Sequence, residues 1–284
     1  MIRMFLAFYL PLIVAYGDTF LWIYDRWNAP GGYYSHGPLL PILGLFVIWT
    51  QRAEWSKIEA RTDMRGWWFL AFGLFLRLCG AAQMVDSLSA ASLLFSLTGI
   101  VLLTVGWGRL RKILPVILLV GFATPMPMDL TGRIAFELKE IAIHTAMVLG
   151  NALGLEAVRE GASIKVPGQK LPLPIADACG GLRSLLALTA LGYCLAFFIG
   201  SANVMRRITI LVVTVPVAVM VNVLRIVGLC FMAKHVDVYY AGGTGHTIMN
   251  GVSWAVNILV LISLDGFLEK RVRRKRSRAK EGKE

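Results

Sequence analysis

Charged residues are scarce in this chain. Only 16% of its 284 residues are Asp, Glu, Lys or Arg, whereas 57% are hydrophobic. A soluble domain carries about 25% charged residues, so this composition excludes an ordinary globular protein. Apolar runs of roughly 20 residues recur along the chain, and a helix of that length crosses a bilayer. We therefore expect a multi-pass helical membrane protein.

Metal-binding patterns are missing as well. The four cysteines, at positions 79, 179, 194 and 230, follow no zinc spacing. The chain has no HExxH motif and no carboxylate cluster near the predicted outer ends of its apolar runs. These absences argue against a metal-dependent enzyme, and we expect no metal and no cofactor.

No nucleic-acid recognition motif accompanies the net charge of +12. The basic residues cluster in short loops between apolar runs and near the C-terminus, which is the distribution of the positive-inside rule. We therefore expect no nucleic-acid partner, and we assign the charge to the cytoplasmic side of a membrane protein.

Eight apolar runs are long enough to be interpreted as transmembrane helices. They lie at about 4–24, 34–50, 67–85, 88–107, 112–128, 179–200, 208–233 and 246–268. Basic loops follow the second, fourth, sixth and eighth runs, so we expect both termini in the cytoplasm. We expect one membrane-embedded catalytic domain over residues 1–268 and a basic cytoplasmic tail over residues 269–284.

The segment between the fifth and sixth runs has a different pattern. Residues 134–155 have apolar positions at helical spacing, but three charged residues lie in the first turns. We interpret them as an amphipathic helix at the outer interface, with a ninth span as the alternative. Residues 157–176 contain a Pro-Gly-Gln turn and predict a small β-hairpin. The expected fold class is therefore an all-α polytopic membrane protein with about eight transmembrane helices, an outer interfacial amphipathic helix and a small β-hairpin.

Three residues near the predicted outer ends of these runs carry reactive chemistry. Cys179 begins a helix, whose positive N-terminus favours the thiolate, and Gly180 and Gly181 allow a substrate backbone to approach. Arg225 lies in an otherwise apolar run, where a charge is costly and usually functional. His246 follows a glycine-rich turn and can exchange a proton near neutral pH. A thiol, a permanent cation and an imidazole together are the parts of a cysteine nucleophile site.

Each of these residues also has a simpler interpretation. Cys179 could be a buried inert thiol, or it could form a disulfide with Cys230 near the outer end of its run. Arg225 could extend its guanidinium to the outer headgroups. His246 could be an ordinary interfacial histidine. His36 also opens an apolar run from the outer side, so it is a further candidate.

The motifs around these residues resemble the exosortase/archaeosortase family of integral-membrane cysteine transpeptidases and proteases. The Cys-x-Gly-Leu-Arg block of the family is similar to residues 179–183, and its Asn-x-x-Arg motif is similar to residues 222–225. Its late span opened by a histidine is similar to residues 246–251, and the Tyr-Ser-His-Gly element at 34–37 is similar as well. One departure is Gly180, where Ser or Ala is commoner in the family.

The resemblance implies an enzyme of a bacterial or archaeal cell membrane that sorts surface proteins. Cys179 would be the nucleophile, Arg225 the charge stabiliser and His246 the acid/base. The implied substrates are single-span membrane-anchored proteins with a C-terminal signal, which consists of a Pro-Glu-Pro-like (PEP-CTERM-like) motif, one transmembrane helix and a basic cluster. Cleavage would occur at the outer membrane–water interface of the inner or plasma membrane.

Five further residues are expected to contact the substrate: His36, Gly180, Gly181, Arg183 and Asn222. Arg183 is one helical turn past Cys179 and could pair with an acidic residue of the sorting motif. A membrane thiol acyltransferase acting on lipid, glycan or protein would use the same reactive residues and is the alternative enzyme. A transporter or assembly scaffold would need paired polar residues near the membrane midplane, whereas this candidate site lies at one edge.

Overall fold

The computed structural model describes residues 2–161, 163–175, 180–201 and 203–281. The chain is mostly helical and divides into two compact units, Met1–Leu130 and Thr131–Glu284. The helices are α1 Ile2–Ala15, α2 Gly17–Asn28, α3 Leu39–Ser56, α4 Gly66–Ala82, α5 Asp86–Gly121, α6 Met128–Ala152, α7 Leu182–Phe198, α8 Val204–His235, the short α9 Val238–Tyr240 and α10 His246–Glu281. A π-helical turn, Ala241–Gly245, connects α9 to α10.

The number of membrane spans differs from the sequence expectation. Among the described residues, three helical stretches are long and apolar enough to cross a bilayer: Asp86–Gly121, Val204–His235 and Val238–Val272. Helices α1 and α2 are bent by 62° relative to each other, and together they could form a fourth span. Helices α4 and α7 are apolar but shorter. The multi-pass helical class is confirmed, whereas the eight predicted spans are not, partly because two of them join in α5.

Helix α5 is broken where the sequence predicted a loop between two spans. Gly106 has φ 78° and ψ 179°, so the helical path bends there. A Cβ atom at Gly106 would lie 1.9 Å from the carbonyl oxygen of Arg61, so only glycine fits. The Arg109 side chain donates from Nε to the carbonyl oxygen of Ile58 at 2.8 Å. The two predicted basic loops of this unit therefore contact each other.

Helix α4 packs closely against α5 in the first unit. It has a glycine at every seventh position, 66, 73 and 80. Gly73 and Gly80 face Ser96 and Ser89 of α5, and Gly66 faces Gly99 and Leu103. A Cβ atom at Gly73 would lie 2.3 Å from the hydroxyl oxygen of Ser96. Small residues let two transmembrane helices approach closely, so this spacing determines how the pair packs.

A small antiparallel sheet belongs to the second unit. Its strands are β1 Val158–Glu160, β2 Ser163–Lys165 and β3 Leu173–Pro174, in the order β1-β2-β3. The β2–β3 pair is the hairpin that the sequence predicted, and β1 adds a strand that it did not. Ile164 and Leu173 are buried in a core cluster shared with α6 and α8. The sheet therefore covers its apolar face with protein, as an open sheet in a membrane protein must.

Helix α6 corresponds to the predicted amphipathic segment but begins six residues earlier, at Met128. It is not among the described helices that could cross a membrane by length and composition. Its location at the outer interface remains a prediction.

The position of Arg206 differs from the sequence interpretation, in which it belongs to the basic loop after the sixth apolar run, at 179–200. Its side chain is fully buried, at 1% exposure, where α7, α8 and α10 meet. It donates hydrogen bonds to the carbonyl oxygens of Leu195 and Ile199 at the end of α7, at 3.0 and 2.8 Å. It also forms ion pairs with Asp265 and Glu269 of α10. The charge is thus neutralised within the protein and connects three helices of the second unit.

Candidate active site

Asn222 and Arg225 are neighbours on one face of α8, because residues three apart lie together on a helix surface. Both are buried inside the second unit, with 5% and 4% of their surface exposed. An arginine this deep in an apolar helix needs polar partners, since an uncompensated charge would be strongly destabilising. The contacts of Arg225 therefore indicate how the site is built.

Arg225 connects α8 to the helix that carries His246. Its Nη1 donates a hydrogen bond to Oδ1 of Asn250 at 3.0 Å. Asn250 lies four residues after His246 and so occupies the same face of α10. The guanidinium also acts electrostatically on the His246 imidazole. Two of the three predicted catalytic residues therefore interact with each other.

The backbone before His246 is irregular. Helix α10 begins at His246, as the sequence predicted, directly after the π-helical turn Ala241–Gly245. Within that turn Gly243 departs from helical angles, with φ −100° and ψ −105°. π-helical turns are rare and frequently occur at functional sites. The glycine-rich sequence thus sets the position at which α10, and with it the imidazole, begins.

Gly181 closes the other side of the site. It caps α7 with φ 85°, a left-handed conformation that glycine adopts without steric cost. A Cβ atom at this position would lie 2.7 Å from Nδ2 of Asn222 and 2.8 Å from its Cγ. The Asn222 carboxamide thus occupies the space that a side chain at 181 would need, so the beginning of α7 rests directly on α8.

Gly180 contacts the opposite neighbour, helix α6. A Cβ atom there would lie 3.2 Å from Cβ of Lys139 and 3.3 Å from the carbonyl oxygen of Ala135. The segment that begins α7 is therefore held between α6 and α8. A small cavity of about 10 Å³ remains among the three helices, bordered by Leu138, Ala142, Gly180, Gly181, Leu185, Ala218, Val219 and Asn222. That is room for about one water molecule.

Cys179 itself lies outside the described residues, so its role as the nucleophile remains a prediction. The nearest described residues on either side, Ile175 and Gly180, are both buried in the second unit. Cys230 is a free thiol buried in the core cluster, and the disulfide alternative, which needs Cys179, also lies outside the described residues. Cys194 is likewise a buried free thiol, as expected for an inert cysteine.

Arg183 and His36 occupy different parts of the fold. Arg183 is the second residue of α7, and its half-buried side chain has no hydrogen-bond partner for Nε among the described residues. His36 belongs to the first unit, in the turn before α3, and its ring stacks 6.3 Å from that of Tyr34. Burial lowers the pKa of the His36 imidazole. Substrate contact by either residue remains a prediction.

The structure adds residues that the sequence interpretation did not select. Asn250 lies in the motif at residues 246–251, and its spacing from His246 predicts a shared helix face, but the sequence interpretation assigned it no role. An ion pair between Glu140 and Arg159, 2.6 Å long, joins α6 to β1 beside the site. The adjacent Arg159 guanidinium lowers the pKa of the Glu140 carboxyl. Within the part of the chain that the structure describes, no group of three His, Cys, Asp or Glu residues could hold a metal ion.

Residues 27–263 match the family model described as transmembrane exosortase. The match covers most of the chain and includes every residue of the candidate site. Comparisons with curated proteins and with solved structures give no match.

Proposed function

The chain belongs to the transmembrane exosortase family, and from that premise we propose that it cleaves the C-terminal sorting signal of exported proteins with Cys179 as nucleophile. Family membership makes it a multi-pass membrane enzyme of the cysteine transpeptidase type that acts on proteins. The proposed signal contains a Pro-Glu-Pro-like motif, one transmembrane helix and a basic cluster. The bilayer therefore holds both enzyme and substrate.

The observation that carries the proposal is the contact between Gly181 and Asn222. The backbone that follows Cys179 rests on Asn222, and Asn222 lies one helical turn from Arg225. Arg225 in turn binds Asn250 and acts on His246. This chain of contacts supports a site in which a thiol, a guanidinium and an imidazole work together.

The proposed reaction proceeds through a thioester. The Cys179 thiolate attacks the carbonyl carbon of the substrate peptide bond, and Arg225 stabilises the negative charge of the thiolate and of the oxyanion. The carbon–nitrogen bond then breaks, and His246 donates a proton to the departing amine of the membrane anchor. Water or an acceptor amine next attacks the thioester and gives its proton to His246. The thiolate is regenerated at the end of the cycle.

Arg183, Asn222 and the two glycines are proposed to hold the substrate. The backbone at 180–181 is proposed to contact the substrate through its peptide groups, and the Arg183 guanidinium is proposed to pair with an acidic residue of the motif. His36 is proposed as a substrate contact on the first unit. Arg183→Lys would keep the charge but lose the bidentate geometry. If the pair exists, we expect this variant to retain part of the substrate affinity and Arg183→Ala to lose it entirely.

The proposed location is the extracytoplasmic face of the inner or plasma membrane, with both termini in the cytoplasm. The basic tail after residue 268 supports this orientation. A cysteine-reactive reagent that cannot cross membranes tests it on intact cells. Labelling of Cys179, and its absence in a Cys179→Ala variant, is expected; a thiol that reacts only after the membrane is opened contradicts the orientation.

The decisive experiment co-expresses the full chain with a tagged substrate that carries a candidate signal. Cys179→Ala is expected to abolish cleavage, whereas Cys194→Ala, which removes a buried thiol, is expected to leave it intact. His246→Gln should slow cleavage, because the departing amine loses its proton donor. In the unaltered chain the thioester on Cys179 should be intercepted by hydroxylamine, which releases the substrate as a hydroxamate that mass spectrometry detects. Substrate trimming by Cys179→Ala would overturn the nucleophile assignment. An intact substrate that gains an acyl group would favour the acyltransferase alternative.

A further inference from the structure

The first unit contains a large apolar cavity. Its volume is about 740 Å³, and its walls come from α1, α2, α3 and both limbs of α5, which are the parts of that helix before and after Gly106. The lining is formed mainly by aliphatic side chains, among them Leu12, Ile23, Leu45, Leu93, Val116 and Ile117. Neither the family match nor the proposed chemistry assigns a role to this space.

Two polar side chains of the lining are engaged with the backbone, while Tyr9 is hydrogen-bonded to the Thr104 side chain and Tyr24 is 60% exposed. The Trp27 indole nitrogen donates to the carbonyl oxygen of Ala123 at 2.8 Å. The Thr124 hydroxyl donates to the carbonyl oxygen of Gly121 at 2.7 Å. A polar ligand would therefore lose its hydrogen bonds to water and gain few in return.

Water is not a suitable occupant either. A volume of 740 Å³ corresponds to roughly 25 molecules of liquid water, and each buried water needs two to four polar partners. This lining cannot supply them, because apolar residues predominate. The cavity is therefore suited to hydrocarbon.

The cavity has a buried floor and an exposed mouth. Leu93 and Val116 on the floor are 5% and 4% exposed. Ile13 and Leu45 at the mouth are 56% and 67% exposed. Exposed aliphatic side chains on helices of a membrane protein face lipid, so the mouth opens to the hydrocarbon of the bilayer. The occupant thus comes from within the membrane.

The dimensions favour one lipid tail over a helix. Ala90 and Val101, which border the cavity along the first limb of α5, are 11 positions apart, or about 16 Å of helix. That length is close to half of the ~30 Å hydrocarbon core, which is the depth of one leaflet. An entire helix of this length, with its 10–12 Å diameter, would occupy roughly 1,300 Å³ or more. We propose that the cavity binds the acyl tail of a membrane phospholipid.

Photolabelling of the full chain tests this proposal. The protein is reconstituted in vesicles of phosphatidylethanolamine and phosphatidylglycerol with a trace of phospholipid that carries a diazirine in its acyl tail. After illumination, the labelled positions are mapped by mass spectrometry. The floor residues Leu93 and Val116 should be labelled about as strongly as Phe75 and Leu78, which are exposed on α4.

Leu102 and Leu110 are the matched controls, because they are as buried as the floor residues on the same helix but do not border the cavity. They should remain unlabelled. Labelling of Leu93 and Val116 that is as weak as that of Leu102 and Leu110 would overturn the proposal. So would cross-links from a substrate's transmembrane helix to the floor in place of lipid adducts.

Filling the cavity gives an independent test. The double variant Leu93→Trp, Val116→Trp should reduce labelling of Ile117 at least fivefold and leave labelling of Leu78 unchanged. Unchanged labelling of Ile117 in a folded double variant contradicts the assignment. If that variant does not fold, the comparison between floor and control residues in the unaltered protein decides alone.

Discussion

Gly181 and Asn222 compete for one position in the second unit: a Cβ atom at 181 would stand 2.7 Å from the Asn222 amide nitrogen. The glycine is also left-handed, with φ 85°. Two independent reasons, backbone conformation and lack of space, therefore demand glycine immediately before α7.

Gly181→Ala is accordingly expected to inactivate the enzyme. A left-handed alanine costs roughly 1–2 kcal/mol, and the new methyl group must also displace Asn222 from the helix turn beside Arg225. Cleavage per folded molecule should fall at least about tenfold. Gly154→Ala is the matched control, because Gly154 is also left-handed, with φ 82°, but a Cβ atom there would meet nothing within 4 Å. Equal activity of the two variants would show that the Gly181–Asn222 contact does not matter for catalysis.

Asn250→Ala should reduce cleavage because it removes a hydrogen-bond acceptor of the buried Arg225 guanidinium. A hydrogen bond to a charged group is worth about 1.5–3 kcal/mol, and its loss would weaken the positioning of Arg225 beside His246. Asn257→Ala provides the control, since that buried asparagine lies seven residues further along the same helix and donates to the Ser253 carbonyl. Both variants should lose stability, but only Asn250→Ala should lose activity per folded molecule. If both variants lose activity per folded molecule to the same extent, Asn250 has only a structural role.

Arg206→Ala is expected to lower the free energy of unfolding by about 3–5 kcal/mol, because it removes the cation from the buried Asp265 carboxylate and the partly buried Glu269 carboxylate. The adjacent Arg207 instead lies over the Phe197 ring, 4.9 Å from its centre, and Arg207→Ala should cost about 1 kcal/mol or less. Unfolding in mixed micelles, followed by circular dichroism, measures both. Adding Asp265→Asn and Glu269→Gln to Arg206→Ala should restore part of the loss. No difference between the two arginine variants would contradict the ion-pair assignment.

Local patterns in the sequence were sufficient to predict several elements. The Pro-Gly-Gln turn predicted the hairpin, and the glycine-rich segment before His246 predicted the beginning of the last helix. The apolar run around Arg225 became one continuous helix, α8, with Arg206 and Arg225 on successive parts of it. These features depend on neighbours in the chain, which a sequence displays directly.

Features that depend on distant partners could not be predicted in the same way. Arg206 reads as a loop charge because its partners, Asp265 and Glu269, are about 60 positions away in α10. The bend at Gly106 depends on the carbonyl of Arg61 in another loop. The glycines of α4 are different: their seven-residue spacing is visible in the sequence and would have predicted the close α4–α5 pair.

His36 makes the stability of the protein depend on pH. Burial lowers the pKa of its imidazole in the folded state, while the unfolded value is about 6.5. The neutral ring is therefore favoured by folding, and its stabilising effect is complete above about pH 6.5 and declines as the pH falls below that value. Wild-type protein in detergent should show a larger fall in unfolding temperature between pH 7.5 and 5 than His36→Gln, which stays neutral throughout. The difference between the two curves isolates His36 from the other three histidines. If the unfolding temperatures of the wild type and His36→Gln fall equally between pH 7.5 and 5, the His36 imidazole is solvated in the folded protein.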